Sequence, residues 1–373
     1  MKLFLWIVCK LIAIIFKLVS FVLSMIRENL RIGKFALEIL CYRNLKSVCF
    51  SVRPNIVWFL GMAIFLAYVS PQVGANRVVG QIAGCGFWVM FFCYGIGMNP
   101  AIVKNEMANW KLHVIIQLIT FLIFPIIVLV VRHFFVTELT QELWLGIFYT
   151  SVLPSTVSSS VVMVSLAGGN ITAAIFNASI SGIIGVFVTP IWMSLFITNI
   201  ANTNNFSVIS AIRDLLIIIV LPLGVGMCFN RRLSNFAARN RKYLKYFDQS
   251  VILLVVYTSF SKSFAGNAFA GFTISQLVFL CIGMLLLFFC VYGITLVCCR
   301  AMRFNNTDTI TALFCCSKKS LVHGITMSKV IFAGMTSVGI LLLPIMLYHA
   351  LQLIVVSIIV KYFADSTKNR PFR

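Results

Sequence analysis

Residues 311–324 read TALFCCSKKSLVHG, and the adjacent Lys318 and Lys319 lie near the middle of an otherwise apolar segment, 308–333. Each lysine is roughly 10 residues, or about 15 Å of helix, from either end, too far for its stem to bring the ammonium group to water. A lysine at this depth costs about 2.5–3.5 kcal/mol on insertion scales and is usually functional. This segment predicts a membrane-spanning helix that carries a binding site.

No acidic residue is available inside the apolar segments to balance these lysines, since Asp214, Asp248 and Asp308 fall at predicted ends. Backbone carbonyls, helix C-termini, hydroxyl groups such as those of Ser317 and Ser320, or a bound anion must take that role. Two alternatives stay open. One lysine is neutral because burial penalises its charged form, or the pair lines a cytoplasmic vestibule without touching substrate.

A second irregular segment reads GIFYTSVLPSTVSSS over residues 146–160. Pro154 removes one helical hydrogen bond and clashes with the preceding turn, and the hydroxyl groups after it can bond the freed backbone groups. This pattern predicts a helix that is interrupted at membrane depth. The alternative is that the serines only bond to carbonyls of their own helix and bend it.

The whole composition places the chain in a membrane. Of its 373 residues, 61% are hydrophobic and 10% are charged, and the mean hydropathy is +1.02. A spanning helix needs about 20 apolar residues, so about ten spans fit and no large soluble domain does. The predicted spans are 53–70, 80–98, 111–131, 143–167, 171–198, 211–228, 249–265, 275–299, 308–333 and 337–360.

The basic residues predict the orientation. The formal charge of +21 is concentrated before the first span, in every second loop and in the tail, including the loop between spans six and seven. The opposite loops hold only Arg77, Arg132, Arg213 and Lys262. Since cytoplasmic loops are enriched in Lys and Arg, both termini are expected in the cytoplasm, and in a bacterium the protein would lie in the inner membrane. A nucleic-acid partner is not expected, because no basic run carries interleaved aromatics outside the apolar segments.

The spans divide into two sets of five. Residues 1–52 are predicted to form a basic, amphipathic extension, 53–198 the first five spans, 211–360 the second five, and 361–373 a cytoplasmic tail. An interrupted segment is the fourth span of each set, and an interior proline, Pro190 or Pro344, follows it in the next span. An odd number of spans inverts the second set, which predicts inverted repeats whose broken helices cross at the binding site. Residues 1–25 alternatively precede a true start at Met25, or form a signal peptide, although no cleavage site follows.

Metal and enzyme sites are not indicated. The twelve cysteines and four histidines lack metal-ligand spacing and read as buried thiols and isolated rings. A serine hydrolase would need Ser158, Ser159 or Ser160 beside His323, but no oriented acid or nucleophile turn is visible. We therefore expect neither a metal, nor a cofactor, nor catalysis.

Several motifs resemble those of a known family. They are PSTVSSS at 154–160, AGGN at 167–170, AAIFNA at 173–178, GVFVTP at 185–190, ALFCCSKKSLVHG at 312–324 and SKVIF at 328–332. Together they resemble the bile acid:sodium symporter-like family, in the branch with the seventh vertebrate bile acid carrier homologue, fungal calcium regulators and bacterial proteins. The resemblance covers residues 53 to about 360. It implies ten helices in two inverted repeats, grouped as a panel and a core, and transport of an organic anion that is often coupled to sodium.

One departure from that family concerns the coupling ion. The resemblance implies a glutamate and a glutamine among the sodium ligands of the ninth span, but the corresponding stretch here offers Cys315, Ser317, Lys318 and Lys319. Thiol and ammonium groups are poor sodium ligands. We therefore predict that sodium does not bind at that position. Hydroxyls of the fourth span and Asn177 leave another sodium site open, and coupling to sodium or to protons is undecided.

The sequence thus predicts an all-α, polytopic membrane protein that transports a small organic anion by alternating access, with the lipid bilayer and that anion as partners. The alternative is a membrane regulator of calcium influx that does not itself transport. Nothing in the sequence defines an oligomeric state. The expected substrate- or ion-binding residues are Ser155, Thr156, Ser158, Ser159, Asn177, Ser317, Lys318, Lys319, Ser320 and His323.

Overall fold

The computed structural model describes residues 55–97, 109–132, 141–201, 207–267, 273–335 and 337–368. These residues are 88% helical, and no strand occurs among them. The expected extension at 1–52, the loop at 98–108 and the last residues of the tail lie outside them. In chain order the helices are α1 (Asn55–Val69), α2 (Pro71–Gly74), α3 (Arg77–Gly97), α4 (Trp110–Val130), α5 (Gln141–Val152), α6 (Ser158–Leu166), α7 (Ile171–Ala201), α8 (208–239), α9 (Arg241–Ala265), α10 (Ile274–Ala301), α11 (Asn306–Cys316), α12 (Leu321–Ile331) and α13 (Val338–Lys368).

Long apolar helices dominate the molecule. Within the described residues, six helical stretches are long and apolar enough to cross a membrane: Val78–Gly97, Trp110–Val130, Ile171–Ile197, Val208–Ala237, Ser275–Ala301 and Val338–Val360. Each coincides with a span that the sequence predicts. The chain is therefore an all-α, multi-pass membrane protein.

Several helices continue beyond their apolar segments. The predicted spans six and seven leave a loop over residues 229–248, but most of that stretch is helical. Helix α8 runs to Arg239 and α9 begins at Arg241. Its Arg and Lys residues are good helix formers, so the helices continue through the basic stretch. The end of an apolar run marks where a helix leaves lipid, not where the helix ends.

Both predicted interruptions are present. The helical path stops after Val152 and resumes at Ser158, and it stops again after Cys316 and resumes at Leu321. The expectation of broken helices around Pro154 and around the lysine pair is thus confirmed.

The helices pack in two groups. The first group comprises α1, α2, α3, α8 and α9, in which α8 lies along α3 and α9 contacts α1, α2 and α3. A Cβ atom at Gly95 or Gly226 would collide with backbone of the opposite helix, so these glycines bring α3 and α8 into close contact. The second group comprises α4 to α7 and α10 to α13, and it contains both interruptions.

A π-helical segment interrupts the regular hydrogen bonding of α4. Residues Ile119–Ile123 form it, and the N–H of Phe124 bonds to the carbonyl of Ile119. The next residue, Pro125, has no N–H, so the carbonyl of Thr120 has no donor in its own helix. The carbonyl of Phe121 accepts from the indole Nε1 of Trp192 at 2.9 Å. The carbonyl of Thr120 is left free to accept a hydrogen bond from a residue outside α4.

The turn after α6 is tied to the start of α11. Gly168 adopts φ +75°, which ends α6, and Asn170 donates its side-chain amide to Asp308 Oδ1 at 3.1 Å. Asp308 Oδ2 accepts a second amide, from Asn109 at 3.1 Å, and Thr311 Oγ1 accepts from the backbone N–H of Asn170 at 2.9 Å. These bonds hold the far ends of the two interrupted segments together.

Candidate functional site

The two interruptions meet at one point, which we call the crossing and define as residues 151–157 with residues 315–320. The backbone N–H of Ser320 donates to the carbonyl of Pro154 at 2.9 Å. Ser155 Oγ donates to the carbonyl of Cys315 at 2.7 Å. Two chain segments without helical partners thus bond to each other.

Backbone groups in the first interruption find partners outside their helix. The N–H of Ser155 donates to Ser181 Oγ at 2.9 Å, and the carbonyl of Val152 accepts from Thr189 Oγ1 at 2.8 Å. The carbonyls of Ser151 and Leu153 both face the side chain of Lys319. Since unpaired backbone groups are costly in a membrane interior, these partners are what permits the break.

Side chains of α13 stabilise the second interruption. Gln352 accepts from the N–H of Lys319 at 2.9 Å through Oε1 and donates to its carbonyl at 3.0 Å through Nε2. Tyr348 donates its hydroxyl proton to the carbonyl of Ser317 at 2.6 Å. Ser317 Oγ donates to the carbonyl of Leu313 at 2.6 Å, so that hydroxyl bonds its own helix and not a lysine.

Lys319 Nζ has a full set of acceptors. They are the backbone carbonyl oxygens of Ser151 at 2.6 Å, Thr120 at 2.9 Å and Leu153 at 2.9 Å. The ring centroid of Phe124 lies 4.2 Å from Nζ, which adds a cation–π contact. An ammonium group has three protons to donate, so this one is satisfied, and it lies beside the negative C-terminus of α5.

Lys318 differs from its neighbour. Its side chain is 0% exposed, and no acceptor among the described residues lies within hydrogen-bond distance of Nζ. Its electrostatic neighbours are Cys315 and His349. Both lysines are buried and closed off from bulk water. This burial does not fit the alternative in which the pair lines an open vestibule. Lys318 is therefore a fully buried amine with its hydrogen-bonding capacity unused.

Three hydroxyl groups at the start of α6 form a short chain. Ser159 Oγ donates to Thr156 Oγ1 at 2.9 Å, and Thr156 Oγ1 lies 2.7 Å from Ser160 Oγ. Thr156 and Ser160 are buried, whereas Ser159 is half-buried. The side chain of Ser158 lies outside the described part of the structure.

His323 lies between the two helix groups. Its Nδ1 is 2.9 Å from Ser320 Oγ, and its ring stacks edge to face on Phe91 of α3 with centroids 5.3 Å apart. A Cβ atom added at Gly182 would lie 2.9 Å from Nε2. The described hydrogen bonds of His323 do not include Ser159 or Ser160, so they form no nucleophile and base pair.

Asn177 belongs to a polar cluster beside the crossing. Its Nδ2 lies 2.8 Å from His113 Nδ1, and its Oδ1 accepts from Gln117 Nε2 at 3.2 Å. Phe176 stacks on the His113 ring with centroids 4.2 Å apart. Gln117 Oε1 and Thr120 Oγ1 are buried without partners among the described atoms. The side chains of this cluster come from α4 and α7, and none of them bonds to either lysine within the part of the chain that the structure describes.

Sequence reasoning missed several of these residues. His113, Gln117, Thr120 and Phe124 lie three or four residues apart on one face of α4, which faces both Asn177 and Lys319. Polar residues spaced at the helical period inside an apolar segment were an available signal for this face. Gln352, a polar residue inside the apolar span 337–360, was a similar signal in α13. No group of three His, Cys, Asp or Glu residues among those described is placed to hold a metal ion.

Comparisons with known proteins agree with this fold. The profile of the SBF-like CPA transporter family matches residues 55–365. A Pseudomonas aeruginosa protein named uncharacterized protein PA2026 is 34% identical over 319 residues, 83% of this chain and 92% of the relative. Sodium/bile acid cotransporter 7 of Rattus norvegicus is 29% identical over 318 residues, 81% of this chain and 91% of the relative. The resemblance seen in the motifs is thereby confirmed, and the chain belongs to the SBF-like CPA transporter family.

Proposed function

We propose that the protein is a secondary transporter of a small organic anion and that the anion binds at the crossing beside Lys318. One observation carries the proposal: Lys318 Nζ is fully enclosed and has no acceptor among the described residues. Burial disfavours the charged form of an amine that has no partner, and a bound anion would supply both the opposite charge and the acceptors that the ammonium group lacks.

The rest of the predicted architecture is part of the proposal. The pairs α5 with α6 and α11 with α12 would each cross the membrane as one broken span, and α1 and α9 would complete ten spans with the six long helices. Each broken pair is followed by a long helix with an interior proline, Pro190 in α7 and Pro344 in α13, which supports two inverted repeats over 53–198 and 211–360. Both termini would then lie in the cytoplasm.

Alternating access follows from this arrangement. The first helix group would rock against the second, so that the crossing opens to one side of the membrane at a time. His323 of the second group, which lies beside Gly182, contacts Phe91 of the first, and the surface between the groups would change there. Ser159, Thr156 and Asn177 would supply polar contacts along the path, while Ser155, Ser317 and Ser320 would keep the crossing in shape. Coupling would use protons, or sodium bound away from Lys319.

Transport in proteoliposomes tests the proposal. The probes are radiolabelled taurocholate, chosen because a relative is named a bile acid cotransporter, and benzoate as a small aromatic anion. We expect counterflow uptake of at least one probe by the wild type, and a loss of about tenfold or more in Lys318→Gln. Lys111→Gln, at an exposed lysine of α4, is the matched control.

The same assay separates the candidate driving ions and the alternative function. Uptake is compared under an inward sodium gradient, an inward proton gradient and neither. Undiminished uptake by Lys318→Gln would contradict the proposed site. Binding of both probes without uptake of either would instead favour a membrane regulator.

A further inference from the structure

Three backbone carbonyls around Lys319 Nζ have each lost their helical donor for a separate reason. The carbonyl of Thr120 has none because the π segment of α4 is followed by Pro125. The carbonyl of Ser151 has none because the N–H of Ser155 bonds to Ser181. The carbonyl of Leu153 has none because Leu153 follows the last residue of α5, where the helix has ended. The acceptors come from two helices, yet they converge on one point.

These acceptors resemble the coordination of a dehydrated monovalent cation. Carbonyl oxygens 2.6–2.9 Å from Nζ replace water around the charge, and the face of Phe124 closes one side at 4.2 Å from Nζ. No carboxylate takes part: the one ion pair within the described residues joins Arg213 and Asp214 at the surface. The negative end of α5 supplies the remaining attraction.

We infer that the carbonyls of Thr120, Ser151 and Leu153, with the ring of Phe124, form a monovalent-cation site whose permanent occupant is the ammonium group of Lys319. The amine is covalently tethered, so it does not exchange with the solution as a coupling ion would. Its three carbonyl acceptors match the three protons of the charged form, and the site is therefore not where a coupling ion enters or leaves. The inference deepens the proposed function but does not depend on it, because folding stability alone can test it.

Removing the tether should leave a site for a free cation. Lys319→Ala lacks three methylene groups and the amine, which together correspond to n-propylammonium. The purified variant is melted in detergent in n-propylammonium, methylammonium, potassium or sodium chloride. Tetramethylammonium chloride, which has the charge but no N–H donor, and n-propanol, which has the chain but no charge, are the matched solutes.

We expect Lys319→Ala to melt roughly 5–10 °C below the wild type, because three buried carbonyls lose their donor. Addition of n-propylammonium should raise that melting temperature saturably and leave the wild type unchanged. Lys318→Ala serves as the variant control, since Nζ of Lys318 has no carbonyl acceptors, and it should not respond. Lys319→Met keeps the volume of the side chain without the charge and should also melt low.

Several results would overturn the inference. One is Lys319→Met as stable as the wild type. Another is a response to n-propylammonium that is the same in Lys319→Ala, Lys318→Ala and wild type, or the same for tetramethylammonium. If Lys319→Ala is not recovered from membranes in sodium chloride, its recovery in n-propylammonium and in tetramethylammonium is compared by size-exclusion chromatography, and equal failure in both counts against the site. Loss of transport by Lys318→Gln with no rescue at Lys319 would refute this inference and leave the proposed function standing.

Discussion

The N–H of Ser320 donates to the carbonyl of Pro154 at 2.9 Å, so a main-chain hydrogen bond joins the two interrupted helical segments. Each interruption leaves backbone groups without helical partners in the membrane interior, where water is scarce. Each segment supplies hydrogen-bond partners for backbone groups of the other. The crossing is therefore a bonded unit, and changes in either segment are expected to affect both.

Close contact between α3 and α8 should depend on glycine. In Gly226→Ala, the new Cβ would collide with the carbonyl of Phe92, whereas Gly224→Ala on the same helix meets nothing within 4 Å. We expect Gly226→Ala to destabilise the protein by about 1–3 kcal/mol and Gly224→Ala to be neutral or slightly stabilising. Thermal unfolding in detergent measures both variants. Equal melting temperatures would contradict the close packing.

The amides around Asp308 require a carboxylate. Asp308→Asn would turn an NH₂ group toward the side-chain amide of Asn170 or Asn109, so one buried donor loses its acceptor. We expect a loss of about 1–3 kcal/mol in the free energy of unfolding. The control is Asp214→Asn, whose partner Arg213 is exposed at 71%, and which should change stability by less than about 1 kcal/mol. Similar losses in both variants would show that the buried hydrogen bonds are not the cause.

Gln352 should be required for the shape of the second interruption. Gln352→Leu keeps the volume but removes both bonds to the backbone of Lys319, leaving a buried N–H and a buried carbonyl unpaired. We expect a loss of about 2–5 kcal/mol, measured by chemical or thermal unfolding. Gln352→Glu keeps the acceptor for the N–H and should lose less. Equal free energies of unfolding for Gln352→Leu and Gln352→Glu would contradict this role of Gln352.

Contact of His323 with both helix groups should matter for transport. Gly182→Ala would place a methyl group 2.9 Å from Nε2 and move the ring that lies against Phe91. We expect a transport rate several-fold lower with little change in melting temperature. Gly293→Ala, in open space on α10, should transport as the wild type does. A fall in both variants, or in neither, would count against a role for this contact.

The sequence predicted where the helices break, because Pro154 is incompatible with an uninterrupted helix and the lysine pair marked the equivalent span of the second set as irregular. It also indicated that carbonyls or an anion must balance the lysines. It could not assign these roles, since Lys318 and Lys319 are identical neighbours and only the path of the broken backbone directs one amine to Thr120 and α5. The polar face of α4 was visible in the sequence, but its contact with Asn177 was not, because His113 and Gln117 come from another helix.

Anion affinity tests the central claim most directly. The dissociation constant of the first anion that the wild type transports is measured by calorimetric titration for the wild type, Lys318→Gln and Lys318→Arg. A charge-assisted hydrogen bond contributes about 1.5–3 kcal/mol, so Lys318→Gln should bind roughly 10–100 times more weakly, and Lys318→Arg should retain part of the affinity. Equal affinity in the wild type and Lys318→Gln would show that the buried amine of Lys318 does not bind the anion.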